Sequence, residues 1–237
     1  MKILIKKIFK LFGYKFEKIE GSCNSSSEYL LNSVFDKKSK LIIFDIGAHI
    51  GESAKKYCQL FKNSQIYSFE PSPDSYKVLN TLNFKNLKVY NFGFSNKKSK
   101  EKFSVNQKSD TNSLLLFAKN ANKQWEINSL NNLNTIICEF NTIDNFCFEE
   151  KLNLIDFMKI DVQGAEYLVL EGAHNTLLNK KIKLIQLEVI ICKTYESQKT
   201  IGFYINFLES YGYRFLNFSD SVVRSGTLIQ SDLFFTI

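Results

Sequence analysis

From residue 41 onward, short apolar runs alternate with segments whose apolar residues recur at helical spacing. The first five segments are strand-like "LIIFDI", helix-like "ESAKKYCQLF", strand-like "QIYSFE", helix-like "PDSYKVLNTLN" and strand-like "LKVYNFGF". This order of strands and helices builds a parallel sheet with right-handed crossovers. The pattern therefore predicts a Rossmann-like first half of an α/β fold.

The alternation is interrupted after residue 99 and then resumes. "KEKFSVNQ" and "TIICEFNTI" are strand-like, and polar "SDTNS" and "NSLNNLNT" lie between them, which predicts an insertion over one edge of the sheet. Further along the chain come a strand over "LIDFMKIDV", one helix over "GAEYLVLEGAHNTLLN", a strand over "KLIQLEVI" and a helix over "TIGFYINFLESYG".

The last two apolar runs are "YRFLNFS" and "DLFFTI", and a short polar region without a helix separates them. Parallel neighbours need a long crossover, whereas antiparallel strands can follow a short turn. We therefore expect these two strands to form an antiparallel pair at the edge of the sheet.

Residues 1–30 form a basic N-terminal segment, and we expect residues 31–237 to form one catalytic domain. Ile5, Ile8, Phe9 and Phe12 fall on one helical stripe with lysines elsewhere, which predicts an amphipathic helix. Two interpretations stay open. Residues 1–16 rest peripherally on an anionic membrane surface, or the helix packs on its own domain or on a partner subunit.

Composition narrows the class of protein. With 237 residues and 44% hydrophobic residues the chain suits one compact domain. Its net charge of +7 would suit nucleic acid, but the aromatic residues lie in predicted core strands, so we expect no nucleic-acid partner. Five scattered cysteines without a C-x-x-C pair argue against a disulfide framework and a zinc site, and favour a reducing cytoplasm.

The stretch "FDIGAHIGES" predicts a loop that binds a nucleotide cofactor. The strand ends at Asp45 and turns through Gly47 and Gly51 into a helix, and glycine lets backbone N–H groups approach a ligand closely. Glu70 ends the next strand, where an acidic side chain can accept hydrogen bonds from both hydroxyls of a ribose.

Such a loop serves both NAD and S-adenosylmethionine. Here Glu52 stands at the start of the helix, where its carboxylate would repel a pyrophosphate but not a cationic sulfonium. The charge therefore favours S-adenosylmethionine over NAD.

With these motifs the sequence resembles the FkbM methyltransferases, which depend on S-adenosylmethionine. The resemblance runs over roughly residues 40–237, and the motifs that carry it are "FDIGAHIG", "FEPSPDSYKVLNTLN", "NFGFSN", "NTIDNF", "MKIDVQGAEYLVLEGA", "LIQLEV" and the closing "GYRF" and "DLFFTI". The resemblance implies a class I methyltransferase fold, with a seven-stranded, mostly parallel sheet, an antiparallel last hairpin and helices on both faces. It also implies O-methylation of hydroxyl groups on sugars or related metabolites.

Two positions depart from the family pattern: His49 replaces a common asparagine, and Gln163 replaces a usual glutamate. The loss of a carboxylate at position 163 weakens any metal scheme that relies on it.

Carried over by position, the resemblance assigns the cofactor site. Glu70 becomes the acid that binds the ribose hydroxyls. Four residues form the loop around the methionine part of the cofactor: Asp45, Gly47, His49 and Gly51. Ser95 and Asn96 lie toward the adenine, and Asp161 lies at the rim beside the cofactor.

The acids at the carboxyl ends of the strands are candidates for the base that removes the hydroxyl proton, because ligands bind at that edge of a parallel sheet. Asp161 ranks first, as base or as the acid that orients the substrate, followed by Glu188 and then Glu166. Together they could instead bind a divalent metal such as magnesium. Lys159 should face the same side as Asp161 and keep it charged.

Some polar residues have less specific interpretations. Asp110 and Asn112 in the insertion form part of an acceptor lid or of a solvated loop, and His174 is structural. The leading hypothesis is an O-methyltransferase that acts on a small-molecule or glycan acceptor. The alternatives are an NAD-dependent oxidoreductase and a non-catalytic module that binds S-adenosylmethionine and docks on a membrane or partner through its N-terminal helix.

Overall fold

The computed structural model describes residues 27–125 and 129–237. The amphipathic helix expected over residues 3–12 lies outside these residues. The strands of the described part are β1 (Ile42–Ile46), β2 (Gln65–Phe69), β3 (Leu87–Tyr90), β4 (Gly93–Phe94), β5 (Ser99–Asn106), β6 (Asn132–Asn141), β7 (Ile155–Ile160), β8 (Ile182–Ile190), β9 (Arg214–Arg224) and β10 (Thr227–Thr236).

Seven strands form the main sheet, in the order β3-β2-β1-β7-β8-β10-β9. The first five of these are parallel to one another, whereas β10 pairs antiparallel with both β8 and β9. This order is that of class I methyltransferases, and it confirms the predicted mostly parallel sheet with an antiparallel final hairpin.

Helices cover both faces of this sheet, as predicted. The helices are α1 (Ser27–Val34), α2 (Glu52–Leu60), α3 (Pro73–Leu79), α4 (Ala121–Trp125), α5 (Ile143–Glu149), α6 (Glu166–Glu171), α7 (His174–Leu178) and α8 (Ile201–Ser210). Successive strand residues point to opposite faces, so Phe44 packs with Phe146 and Leu208 on one face while Ile43 packs with Leu31 and Tyr57 on the other.

Helix α1 belongs to the domain. Leu30 and Leu31 are buried in the core, and the boundary expected between residues 30 and 31 therefore cuts through a packed helix. In the part of the chain described, no helix is both long enough and apolar enough to cross a membrane.

The insertion forms a second, three-stranded sheet of order β4-β6-β5. The prediction of one strand over "LKVYNFGF" was wrong, because the chain leaves the main sheet after Tyr90 and its continuation, Gly93–Phe94, pairs with Phe140 and Asn141 of β6 instead. The second sheet is thereby joined directly to the carboxyl end of the main sheet.

The single helix predicted over "GAEYLVLEGAHNTLLN" is divided into α6 and α7 around Gly172. A Cβ atom at Gly172 would overlap the carbonyl oxygen of Ser95, so the chain following β4 packs directly on this break. His174 begins α7, and its Nδ1 lies 2.7 Å from the hydroxyl of Tyr211.

Candidate active site

The glycine loop after β1 closes tightly on its neighbours. The N–H groups of Gly47 and Ala48 both donate to the carbonyl oxygen of Phe69 at 3.0 Å. Gly47 has a φ of +80°, and a Cβ atom there would overlap the carbonyl oxygen of Asp161. Only glycine combines this conformation with this approach, and the loop therefore lies directly against the end of β7.

Glu70, directly after β2, forms part of the wall of a cavity above the loop. Its Oε2 accepts the N–H of His49 at 2.9 Å, and its Oε1 accepts the N–H of Ser72 at 2.8 Å. Burial raises the pKa of Glu70 to about 7, even though the two backbone N–H groups favour the ionised form. Each carboxylate oxygen keeps a second lone pair that a ribose hydroxyl can use.

The cavity beside Glu70 is open to solvent and has a volume of about 880 Å³. One side is polar and contains the loop and Glu52, whereas the other is apolar. Such a combination suits a ligand with hydroxyl groups and a flat aromatic base. The apolar side is formed by Phe94, Phe103, Leu114, Phe140 and Val162.

Asp45 lies beneath the loop and not on the wall of this cavity. Its side chain is fully buried, and neither carboxylate oxygen accepts a hydrogen bond from another described residue. Burial raises the pKa of Asp45 to about 6, although Lys159, its register partner on β7, opposes the shift. Asp45 is therefore a buried acid outside the wall that a ligand in this cavity would contact.

His49 joins the glycine loop to the insertion. Its Nε2 lies 2.8 Å from the Oγ of Ser109, which belongs to a 3₁₀ turn over Ser109–Thr111. Ser109, Asp110 and Asn112 all line the same cavity as the loop. The polar segment of the insertion therefore contacts the glycine loop and lines the same cavity.

Ser95 and Asn96 do not line the cavity. The N–H of Ser95 donates to the carbonyl oxygen of Asn141 at 2.9 Å, and the amide of Asn96 donates to Glu171 at 3.0 Å. Gly93 and Phe94, two residues earlier, take the position on the wall. The residues predicted near the adenine lie two positions further along the chain than the residues that line the cavity, because β4 pairs with the second sheet.

Asp161, at the end of β7, lies in a network of short hydrogen bonds. Its Oδ2 accepts from the Lys159 ammonium at 2.8 Å, and its Oδ1 accepts from the Gln163 amide at 2.9 Å. Burial alone would raise the pKa of Asp161, but the Lys159 charge and these hydrogen bonds hold it below its ordinary value. Asp161 is thus the ionised acid of the rim.

Glu188 is joined to the same network by Gln163, whose amide nitrogen lies 2.7 Å from Glu188 Oε2. Burial and the neighbouring charge of Asp161 raise the pKa of Glu188 well above its ordinary value. The two acids therefore differ in acidity: the pKa of Asp161 is lowered and that of Glu188 is raised, so Glu188 keeps its proton to higher pH than Asp161 does.

Glu166 does not join the other two acids. Its buried carboxylate accepts the N–H groups of Val162 and Gly164 at 3.2 and 3.0 Å and the hydroxyl of Tyr204 at 3.2 Å. Burial raises the pKa of Glu166 to about 7. This acid shapes the loop after β7, and it lines neither of the two cavities described here.

The alternative in which the rim acids bind a divalent metal finds no support among the described residues. Among residues 27–125 and 129–237, no three His, Cys, Asp or Glu side chains are arranged to hold an ion. Glu166 points elsewhere, the Lys159 ammonium is bound to Asp161, and the Gln163 amide lies between Asp161 and Glu188.

A second cavity adjoins the first at the rim, and Asp110, Asp161 and Gln163 line both. Trp125 lines it too, and its indole N–H donates to Thr194 at 2.6 Å. Sequence reasoning missed this tryptophan, although the one Trp in the chain beside an asparagine-rich insertion is a signal that could have found it.

Tyr195 forms another wall of the second cavity and was also missed. Its ring stacks on Phe117 with centroids 5.1 Å apart, and its hydroxyl donates to the carbonyl oxygen of Thr111 at 2.8 Å. The same hydroxyl lies 3.1 Å from the Gln163 side-chain oxygen. Tyr195 therefore ties the insertion to the rim acids through Gln163.

Comparisons with known proteins agree with this geometry. The model of the methyltransferase FkbM domain matches residues 45–215, which include the loop, Glu70 and the rim acids. The chain is also 25% identical over 183 residues to the 2-O-methyltransferase NoeI of Sinorhizobium fredii (strain NBRC 101917 / NGR234). That match covers 74% of each chain.

Solved structures share the fold. The methyltransferase FkbM from Methylobacillus flagellatus KT aligns with a TM-score of 0.54 and 15% identity over 87% of this chain, which spans 46% of that protein. Aeropyrum pernix fibrillarin, solved with natively bound S-adenosyl-L-methionine, aligns with a TM-score of 0.50 and 10% identity, over 90% of this chain and 76% of the other.

Proposed function

This chain belongs to the FkbM methyltransferase family, and on that premise we propose that it transfers a methyl group from S-adenosylmethionine to a hydroxyl of a sugar or glycan precursor. The observation that carries the proposal is the meeting of two cavities at Asp161 and Gln163. A cofactor in one cavity and an acceptor in the other would bring their reacting atoms together at an ionised carboxylate.

The residues of the first cavity fit S-adenosylmethionine. Glu70 is placed to accept hydrogen bonds from the ribose hydroxyls, and the apolar wall at Phe94, Phe103 and Phe140 suits the adenine. Glu52, on the polar side, suits a cationic ligand better than a pyrophosphate. When bound, S-adenosylmethionine supplies an electrophilic methyl group on a sulfonium ion.

In the chemical step the rim orients the acceptor and takes its proton. As the hydroxyl oxygen forms its bond to the methyl carbon and the bond from that carbon to sulfur breaks, the hydroxyl proton passes to Asp161. Lys159 keeps Asp161 ionised before the step, and Gln163 fixes the direction of its free lone pairs. Glu188 lines the second cavity and would form a hydrogen bond with the acceptor.

A sugar suits the second cavity because its wall combines hydroxyl-binding groups with an aromatic ring. Asp161, Gln163 and Glu188 offer acceptors and donors on one side, and Trp125 offers a rigid ring whose N–H is held by Thr194. The similarity to a relative that is named a 2-O-methyltransferase supports transfer to oxygen.

The proposed location is the cytoplasm. Cys58, Cys138 and Cys147 are free and buried, and Cys192 is free as well, which fits a reducing compartment. Peripheral contact with the inner membrane face through residues 1–16 stays a proposal of the sequence alone.

The test of this function is calorimetric titration with S-adenosylmethionine, its demethylated product and NAD, in wild type and in Glu70→Ala. Binding of the first two that is lost in the variant, followed by formation of the demethylated product with a sugar or glycan acceptor, would support the proposal. Binding of NAD alone would indicate an oxidoreductase. Binding of the methyl donor without turnover on any acceptor would indicate a non-catalytic module.

A further inference from the structure

Two exposed cations that line the second cavity have no partner among residues 27–125 and 129–237. Lys108 in the insertion and Arg224 at the end of β9 both line this cavity, and both side chains are exposed. Neither side chain forms an ion pair or a hydrogen bond with another residue in the part of the chain described. They are therefore available to a ligand.

The carboxylates that line the same cavity do not pair with these two cations, among the residues that the structure describes. Asp161 is paired with the Lys159 ammonium, and Glu188 accepts a hydrogen bond from the amide of Gln163. Asp110 lines the cavity as well and forms no ion pair with Lys108 or Arg224. The two cations therefore keep their charge for an anionic ligand.

Arg224 is one of few arginines in this chain. Of the 31 lysine and arginine residues, two are arginines, Arg214 and Arg224. Arginine presents a planar fork of N–H donors that matches phosphate and carboxylate oxygens in pairs, which a lysine ammonium cannot do. An arginine on the wall of this cavity therefore suits recognition of an anionic group.

We propose that the acceptor carries a phosphate or carboxylate group, which Arg224 and Lys108 bind while the hydroxyl to be methylated reaches Asp161. This inference rests on the proposed function and specifies its acceptor as an anionic sugar. The two cations would fix one end of the acceptor, and the ring of Trp125 lines the same cavity.

Trp125 supplies a direct probe of this cavity, because it is the one tryptophan in the chain and it lines the wall. Its fluorescence would be titrated with glucose 1-phosphate, with glucuronic acid and with glucose. The demethylated cofactor would be kept saturating, so that the first cavity is filled. We expect a saturable change with at least one anionic sugar and a much weaker response to glucose.

The variants would be Arg224→Gln and Lys108→Gln, with Arg214→Gln as the control at the opposite end of the same strand. Each of the first two should weaken binding of the anionic sugar about tenfold, and added salt should weaken it further. Arg214→Gln should bind like wild type.

Equal binding of glucose and the anionic sugars, an unchanged affinity in Arg224→Gln and Lys108→Gln, or no response to either anionic sugar at millimolar concentration would overturn the inference. Calorimetry with the demethylated cofactor separates this result from failure of the proposed function. If the cofactor binds and the anionic sugars do not, the anionic acceptor alone is wrong. If the cofactor itself does not bind, the methyltransferase proposal fails.

Discussion

The ammonium of Lys159 lies 2.8 Å from Asp161 Oδ2, and the same lysine is the register partner of Asp45 on the neighbouring strand. Lys159 is 9% exposed, and burial alone would lower its pKa, but Asp161 and Asp45 raise it well above its ordinary value. The buried charge of Lys159 thus interacts with two acids, Asp45 at the end of β1 and Asp161 at the rim.

Replacement of Lys159 by methionine should both destabilise the fold and slow the reaction. The change leaves two buried carboxylates without their cation, and removal of one partner of such a group costs about 3 kcal/mol or more. Urea denaturation would measure the loss in the free energy of unfolding. The pKa of Asp161 should rise without the lysine, so the acidic limb of the pH-rate profile should move to higher pH.

The matched control is the double variant Lys159→Met with Asp161→Asn. It removes the uncompensated charge at the rim, and it should therefore recover part of the stability lost in the single variant, but no activity. A single variant as stable as wild type would show that the ion pair contributes nothing net.

Substitution of alanine for Gly47 should abolish cofactor binding. Its φ of +80° costs a non-glycine residue about 1–3 kcal/mol, and its Cβ would in addition overlap the carbonyl oxygen of Asp161. Gly226→Ala is the control, because Gly226 has a φ of +78° with no atom within 4 Å of the added Cβ. Thermal unfolding and calorimetry should separate the effect of the overlap from that of backbone conformation. Equal losses in both variants would argue against a close approach of the loop to β7.

Affinity for the demethylated cofactor should fall as the pH drops below about 7. Glu70 has a pKa raised from 4.5 to about 7, and the ribose hydroxyls need its ionised form as acceptor. Below this pKa each binding event must release a proton, so the affinity should fall about tenfold per pH unit. Glu70→Gln should bind weakly with little dependence on pH. A wild-type affinity that is constant from about pH 5.5 to 8.5 would contradict this role of Glu70.

The same pKa shift should affect stability in the opposite direction. The folded state holds the Glu70 proton more tightly than the unfolded state, so ionised Glu70 costs folding on the order of 3 kcal/mol above pH 7. This cost disappears as the pH falls from 7 towards 4.5. Relative to Glu70→Gln, wild type should therefore gain stability between neutral and mildly acidic pH, as denaturation at several pH values would show.

The parts of the fold that depend on local pattern could be predicted from the sequence. Buried strands such as β1 and β7 are short, mostly apolar runs, and α2 and α8 have clear helical spacing, so the main sheet follows from their order. The division of "LKVYNFGF" between two sheets could not be predicted, because Gly93 leaves the main sheet to pack against Phe140, a residue distant in sequence.

The site divides in the same way. Gly47 and Glu70 follow directly from strand ends, and the structure places both on the wall of the first cavity. The second cavity lies between the insertion, which contributes Trp125, and the chain after β8, which contributes Tyr195. Tertiary contacts alone bring these two residues to the rim. The sequence predicted that Glu166 lies at the start of the helix after β7, near the other rim acids. Its carboxylate is directed away from them because it accepts the N–H groups of Val162 and Gly164.

The side-chain amide of Gln163 lies between Asp161 and Glu188 and donates to both. Gln163→Glu should therefore impair turnover. The amide nitrogen lies 2.9 Å from Asp161 Oδ1 and 2.7 Å from Glu188 Oε2. In Gln163→Glu a carboxylate oxygen would take its place and face the oxygens of both acids. The repulsion should raise the pKa of the rim acids and lower kcat about tenfold or more at neutral pH, while higher pH restores part of the rate.

Gln163→Met is the matched control, because it removes both hydrogen bonds without adding charge. It should lower kcat at every pH and leave the pH-rate profile in place, whereas Gln163→Glu should move the profile. Three adjacent carboxylates also form a set of oxygen ligands for magnesium, so added Mg²⁺ should partly rescue Gln163→Glu and leave Gln163→Met unchanged. If Gln163→Glu turned over like wild type without magnesium, the amide would have no part in orienting Asp161, and the rim would use its acids independently.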